Sequence, residues 1–172
     1  MDEKIVGVLT SMMQKNCGDS KRIEHSLKVY GYAKYLGVSE LLNDNLLMVL
    51  ELTALLHDIG IQVAEKKYGY STVHFQEVEG PKVAREILSG FGYEQNILER
   101  VCFIISKHHT FSAIDGIDFQ LLVEADFLVN STEENATDEQ IIGFARNNFK
   151  SKSGFNTLKL LFPHITESLN KT

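Results

Sequence analysis

Asn43-Asp44-Asn45-Leu46-Leu47-Met48-Val49-Leu50-Glu51-Leu52-Thr53-Ala54-Leu55-Leu56-His57-Asp58-Ile59-Gly60 is the stretch from which the fold of this chain can be read. Leu46, Leu47, Val49, Leu50, Leu52, Leu55 and Leu56 cover nearly the whole circumference of a helix over residues 43–57. A helix that is apolar on most faces belongs at the centre of a domain. It ends in His57-Asp58-Ile59-Gly60, so two polar side chains close what should be the most buried element. Burying such groups is costly unless something satisfies them.

Outward from this helix the chain reads as helical in both directions. Ile5, Val6, Leu9, Met12 and Met13 recur at helical spacing over residues 2–15. Residues 16–20 are a break, and Asp19 or Ser20 can cap a helix over 21–36 that Gly37 closes. His25 shares one stripe of that helix with Val29, Tyr32 and Leu36. Residues 61–78 read as a polar connector containing His74, and Pro81 opens a short helix that runs to Gly90. A helix over 94–109 ends in His108-His109, Asp115-Gly116 is a turn, and residues 118–130 form an apolar helix interrupted by Glu124 and Asp126. Glu133–Lys150 and Asn156–Leu169 give two further amphipathic helices that should pack around the core. The expected fold is all-α, a single compact domain over residues 1–172.

Composition sets limits on function. With 172 residues, 44% hydrophobic and 23% charged, the chain suits one soluble domain with a substantial core. Two prolines, no Trp and sparse Val/Ile/Thr runs argue against an all-β chain. The net charge is −6 and no Lys/Arg cluster occurs, so neither long nucleic acid nor an anionic membrane surface is an expected partner. A small phosphate ester remains a candidate, because a metal can supply the positive charge. Cys17 and Cys102 have neither metal-type spacing nor a disulfide framework, and Cys102 lies in an apolar run as a buried thiol would. The N-terminus lacks an apolar signal segment and no apolar run reaches the length of a membrane span, so the expected location is cytoplasmic.

His25, the His57-Asp58 pair and Asp126 together provide two imidazoles and two carboxylates on apolar helices. That mix suits a borderline or hard divalent transition metal: Mn, Fe, Co, Ni or Zn. Taken alone, His25 reads more readily as a hydrogen-bonded structural histidine. Asp126 is odder, because an unpaired carboxylate among Leu121, Leu122, Val123, Phe127 and Leu128 is expensive to bury. Four ligands on an octahedral ion would leave positions for water and substrate.

The strings Arg22-Ile23-Glu24-His25-Ser26-Leu27-Lys28-Val29, Ala54-Leu55-Leu56-His57-Asp58-Ile59-Gly60 and Glu124-Ala125-Asp126 resemble the H…HD…D signature of the HD-domain metal-dependent phosphohydrolase superfamily. The resemblance spans about residues 20–130, with helices over 133–170 packing on that region. It implies an all-helical domain with metal ligands at His25, His57, Asp58 and Asp126. The activity it implies is hydrolysis of a small phosphate ester, often a nucleotide, by metal-activated water. Two-metal members of the superfamily imply further ligands at His74, His108 and His109, with Asp58 bridging the ions. Read without that resemblance, His74 is a polar loop histidine, and His108-His109 are histidines favoured by a helix C-terminus. Asp58, His109 and Glu79 are the candidate catalytic groups, the last two as general base or acid. Arg22, Lys82, Arg85 and Lys107 are candidate phosphate contacts, each also readable as a solvated charge. Tyr68, Tyr70, Phe75 and Phe111 could stack on a base or simply pack. The chain departs from the superfamily in two places. Asp115-Gly116-Ile117-Asp118 stands where the cyclic-dinucleotide members carry Gly-Tyr-Pro, and Ile61 stands where many members carry Lys. Two rival functions share this signature: a di-iron oxygenase and a non-catalytic metal- or ligand-binding regulatory module.

Overall fold

The computed structural model describes residues 3–169. Its helices are α1 (Glu3–Lys15), α2 (Ser20–Ser39), α3 (Asp44–Leu56), α4 (Ile61–Tyr68), α5 (Val73–Ser89), α6 (Gln95–Ile105), α7 (Ile117–Glu133), α8 (Asp138–Asn148), α9 (Lys152–Leu161) and α10 (Thr166–Leu169), with short 3-10 turns at Phe111–Ala113 and Pro163–Ile165. No strand occurs among the described residues.

The central helix is where its leucines predict. Asn43 caps α3, its side chain accepting the Leu46 N–H, and every residue from Val49 to Leu56 is buried. α1, α2, α6 and α7 pack against α3. Each fully buried leucine there stabilises the fold by roughly 1.5–3 kcal/mol before entropy is counted. The polar residues of α3 are also satisfied. Thr53 donates to the Val49 carbonyl, and the Glu51 carboxylate accepts from the Tyr30 hydroxyl and pairs with Lys34. Asp44–Tyr68 is 25 residues long and apolar enough to cross a bilayer, against the expectation that no run reaches that length. Here a turn over residues 57–60 divides it into α3 and α4, and α3 is enclosed by its neighbours.

Several boundaries differ from the sequence reading. Gly37 does not close α2 but lies inside it, where a Cβ would come within 2.7 Å of Leu47 Cδ1. Glycine there serves the close approach of α2 to α3. The expected connector over 61–78 is mostly helical. α4 is ended by Gly69 in the left-handed region (φ 84°), and Thr72 caps α5 by accepting the Phe75 N–H. Pro81 therefore sits in mid-helix and cannot donate to the carbonyl one turn earlier, a placement that costs about 3 kcal/mol in isolation. Tertiary packing overrides that cost. A Cβ on Gly60 would lie 2.6 Å from the Gly80 nitrogen, and one on Gly80 would lie 2.8 Å from Ile105 Cγ2. Backbone thus meets backbone where α5 crosses the turn after α3. Pro163 breaks the expected last helix into α9 and α10, and Asn135 (φ 52°) separates α7 from α8.

Candidate metal centre

The elements that enclose α3 bring the polar residues together. His25 comes from α2, His57 and Asp58 from the turn after α3, and Asp126 from α7. Only 1% of the His57 surface is exposed, so any polar partner must come from within the molecule. The Nε2 atoms of His25 and His57 are 3.3 Å apart. Asp126 Oδ1 lies 3.2 Å from the first and 3.5 Å from the second. Asp58 Oδ2 lies 3.7 Å from His25 Nε2 and 3.4 Å from His57 Nε2. Neighbouring ligands on an ion bound at about 2.1 Å are separated by roughly 3.0–3.4 Å, so this donor set fits a divalent transition metal with little adjustment.

Backbone and side-chain contacts fix the orientation of each ring. His57 Nδ1 donates to the Ala54 carbonyl (3.0 Å), His108 Nδ1 to the Ile105 carbonyl (2.8 Å) and His25 Nδ1 to Glu133 Oε2 (2.9 Å). In every case Nε2 is left facing the centre, the arrangement a metal-ligating histidine needs. Asn130 Nδ2 donates to Asp126 Oδ1 at 2.9 Å, and Lys28 also binds Glu133. The sequence reading missed Glu133 and Asn130. Asn130 lies four and Glu133 seven residues after Asp126 on α7, so helical spacing from a suspected ligand would have found them. Because Glu133 fixes His25, Glu133→Gln should weaken metal binding about 10–100-fold while leaving the helices intact. Metal titration of the chelator-treated variant checks this, and an unchanged affinity would show that the contact does not matter.

The other carboxylate flagged on α7 behaves differently. Glu124 is buried but accepts from Gln120 Nε2, the N–H groups of Lys150 and Ser151, and the Ser151 hydroxyl. Its charge is satisfied by protein donors at the turn between α8 and α9. Asp126 instead faces two imidazoles.

Without an ion, those imidazoles serve as the counter-charges. Burial alone would lower the His57 pKa, but the Asp58 charge and the Asp126 hydrogen bond carry it well above 6.5. His25 is raised too: burial opposes this, but the Asp126 hydrogen bond and charge and the Glu133 hydrogen bond together outweigh it. Burial would raise Asp58 and Asp126, yet the facing histidines hold both below 3.8. A raised histidine stabilises the fold fully below its unfolded value and loses that contribution as pH rises through its folded value. A lowered aspartate stabilises above its unfolded value and loses that as pH falls. Metal-free protein should therefore melt highest between about pH 4 and about pH 6.5, losing Tm on both sides, and added metal should restore the alkaline side. Thermal scans across that range check this, and an alkaline limb that metal does not change would contradict it.

A second group adjoins the first. Ligand atoms of Asp58, His108 and His109 all lie within 4.8 Å of one another. Asp58 Oδ1 is 3.6 Å from His108 Nε2, while Oδ2 faces His25 and His57. His108 Nε2 is buried with no hydrogen-bond partner among the described residues, a lone pair that an ion would satisfy. α6 ends at Ile105 rather than at His109, and the paired histidines occupy the turn that follows. A regular helix would have splayed them; the turn holds their rings 3.9 Å apart. His109 Nε2 meets Gln76 Oε1 at 3.0 Å, and burial, reinforced by His108, lowers its pKa below 6.5.

Other candidates are placed elsewhere. His74 was expected beside this second group, but it is exposed and packs on Phe75. Because the connector is a helix, residues two apart point about 200° from each other. With Gln76 facing His109, His74 faces away. Glu79 is buried, but Lys67 Nζ (2.8 Å), the Tyr68 hydroxyl (2.8 Å) and Lys82 Nζ (3.1 Å) hold it, and these partners pull its pKa down to about 2. A carboxylate so acidic is a poor general base near neutrality, so Glu79 serves to tie α4 to α5. Arg22 is paired with Asp19 and Glu65, Lys82 with Glu79, and Arg85 makes a two-pronged contact with Glu99. Lys107 is exposed immediately before His108. Tyr68 and Phe75 stack on each other at 4.0 Å. Cys102 is buried and Cys17 exposed. A cavity of about 130 Å³ opens on His108, His109 and Asp126, walled by Phe111, Phe127 and Phe144.

A family model described as HD domain matches residues 22–145. No curated protein and no solved structure matches the chain.

Proposed function

The chain belongs to the HD-domain family, and from that premise we propose that it is a metal-dependent phosphohydrolase acting on a small phosphate ester, with nucleotides among the candidates. One divalent transition-metal ion would be held by His25, His57, Asp58 and Asp126, and a second by Asp58, His108 and His109. The observation that carries this reading is the placement of Asp58, whose two carboxylate oxygens face two different sets of imidazole nitrogens. When bound, ions in such a paired site stabilise charge on phosphoryl oxygens and make water nucleophilic at neutral pH.

The remaining roles belong to the chain. Burial on α3 and the contacts of Glu133 and Asn130 fix the donors in advance, so little reorganisation is needed when a phosphate enters. His109, kept neutral by burial and oriented by Gln76, is placed to move a proton at its ring nitrogen when it is not engaged as a ligand. Lys107, exposed immediately before the paired histidines, is the remaining candidate cation for an entering ester, since Arg22, Lys82 and Arg85 are paired with carboxylates. Phe111, Phe127 and Phe144 exclude water from one side of the cavity.

The test is phosphate release from a panel of nucleotides and small phosphate esters. It should use chelator-treated protein reconstituted in turn with Mn²⁺, Co²⁺, Ni²⁺, Fe²⁺ and Mg²⁺. Turnover that depends on the added metal is the expected result. Metal binding with no turnover of any ester would overturn the hydrolase in favour of a regulatory module, and oxygen consumption by the iron-loaded form would favour an oxygenase.

A further inference from the structure

We propose that the groove bordered by α7 and α8 beside the metal centre is a subsite for the uncharged part of the substrate. It would select phosphate monoesters of neutral, hydrogen-bonding alcohols over esters carrying a second phosphate. This rests on the phosphohydrolase reading above.

The groove has a volume of about 610 Å³ and shares Phe127, Asn130 and Phe144 with the cavity at His108, His109 and Asp126. A ligand whose phosphate sits at the metal centre would have this adjoining space for the rest of its body. That space is within the usual range for small-molecule sites, about 300–1,000 Å³. Its wall is stiff: Phe127 and Phe144 stack at 3.8 Å and 2°, and Phe111 meets Phe144 edge-on.

The polar lining is rich in amides, and Gln140 presents its Nε2 because its Oε1 takes the Thr137 N–H. Asn130 Nδ2 is committed to Asp126, Asn147 Nδ2 to the Gly143 carbonyl and Asn148 Nδ2 to the Phe144 carbonyl. Each of these partners is an acceptor, so each amide presents nitrogen to it and keeps its oxygen and its second N–H for something else. Glu134 adds a carboxylate, and among the described residues no Lys or Arg lines the groove. Amides that both donate and accept, beside a negative charge, suit hydroxyl groups on a ligand. The lining opposes a second phosphate, which would be desolvated with no cation to pair with. The chain's net charge of −6 works in the same direction. Gly143 lies on the floor of this space, and a Cβ built there meets nothing within 4 Å. A larger side chain at 143 would thus project into the groove, and as a helix-interior replacement of glycine it favours folding.

Two substrate arms distinguish the sources of such an alcohol: nucleoside monophosphates and sugar monophosphates, each compared with its diphosphate. With metal-loaded wild type, kcat/KM for at least one monoester should exceed that for its diphosphate by tenfold or more. Gly143→Leu should raise KM for that monoester at least tenfold relative to the inhibition constant of inorganic phosphate, which does not reach the groove. Asn147→Lys, which adds a cation, should narrow the monoester preference. Equal use of diphosphates by wild type, or an unchanged KM in Gly143→Leu, would overturn the subsite. If wild type hydrolyses no ester, the hydrolase reading fails, and calorimetry with free nucleosides and free sugars decides the subsite. Binding to metal-loaded wild type that is lost in Gly143→Leu upholds it, and absence of binding to wild type overturns it.

Discussion

Replacing Asp58 with alanine should strip the protein of bound metal and lower phosphate release by on the order of a thousandfold or more, with little loss of helix. Asp58 belongs to both donor groups, with Oδ2 facing His25 and His57 and Oδ1 facing His108. Removing it takes the shared anion from each, which is why its effect should exceed that of any single histidine. The helices should survive because Asp58 lies in the turn over 57–60, after the last buried leucine of α3, and contributes nothing to the apolar core. Asp58→Asn is the companion variant, since it keeps the shape and removes the charge. Elemental analysis and circular dichroism of both proteins decide the matter. Wild-type metal content in both variants would show that this carboxylate does not hold the ions.

His108→Ala should halve the metal content, from two ions per chain to one, and lower phosphate release on the order of a hundredfold, as loss of one preorganised electrostatic stabiliser does. His108 contributes only to the group with Asp58 and His109, so the ion between His25, His57 and Asp126 should remain. The ring is tied through Nδ1 to the Ile105 carbonyl, and its unpartnered Nε2 is the atom whose loss matters. His74→Ala is the control, because His74 is exposed on the far side of α5 and should leave the ratio unchanged. A ratio of one in wild type and in His108→Ala alike would leave a single-ion site.

The features of the centre that could be read from the residues are those in which sequence and burial conflict. His57 and Asp58 at the end of a leucine-rich helix, and Asp126 inside an apolar one, are visible because an unsatisfied buried charge has no cheap explanation. His25 was visible only beside them. The helices over 61–89 were obscured by Pro81, whose cost in a helix interior is real but is offset by the packing of Gly80 against Gly60 and Ile105. That one misreading moved His74, because a loop residue can face anywhere while a helix residue faces where its neighbours allow. Glu133, Asn130 and Gln76 escaped notice for another reason. A polar residue near a helix surface gives no sign of being buried until the partner across from it is known. Glu79 shows the converse, since its acidic character suggested chemistry while Lys67, Tyr68 and Lys82 were already holding it in place.

The contact between Gly60 and Gly80 has a mechanical consequence. Interiors at this density are nearly incompressible and transmit displacement rather than absorb it. Gly60 is two residues from Asp58, and Gly80 lies on the same helix as Gln76, which grips His109. α5 therefore acts as a strut between the two sides of the second donor group, braced at one point by bare backbone and at the other by a single amide. The span between Asp58 and His109 is set by where that strut rests, so a small tilt of α5 would change it directly, whatever happened in the leucine core.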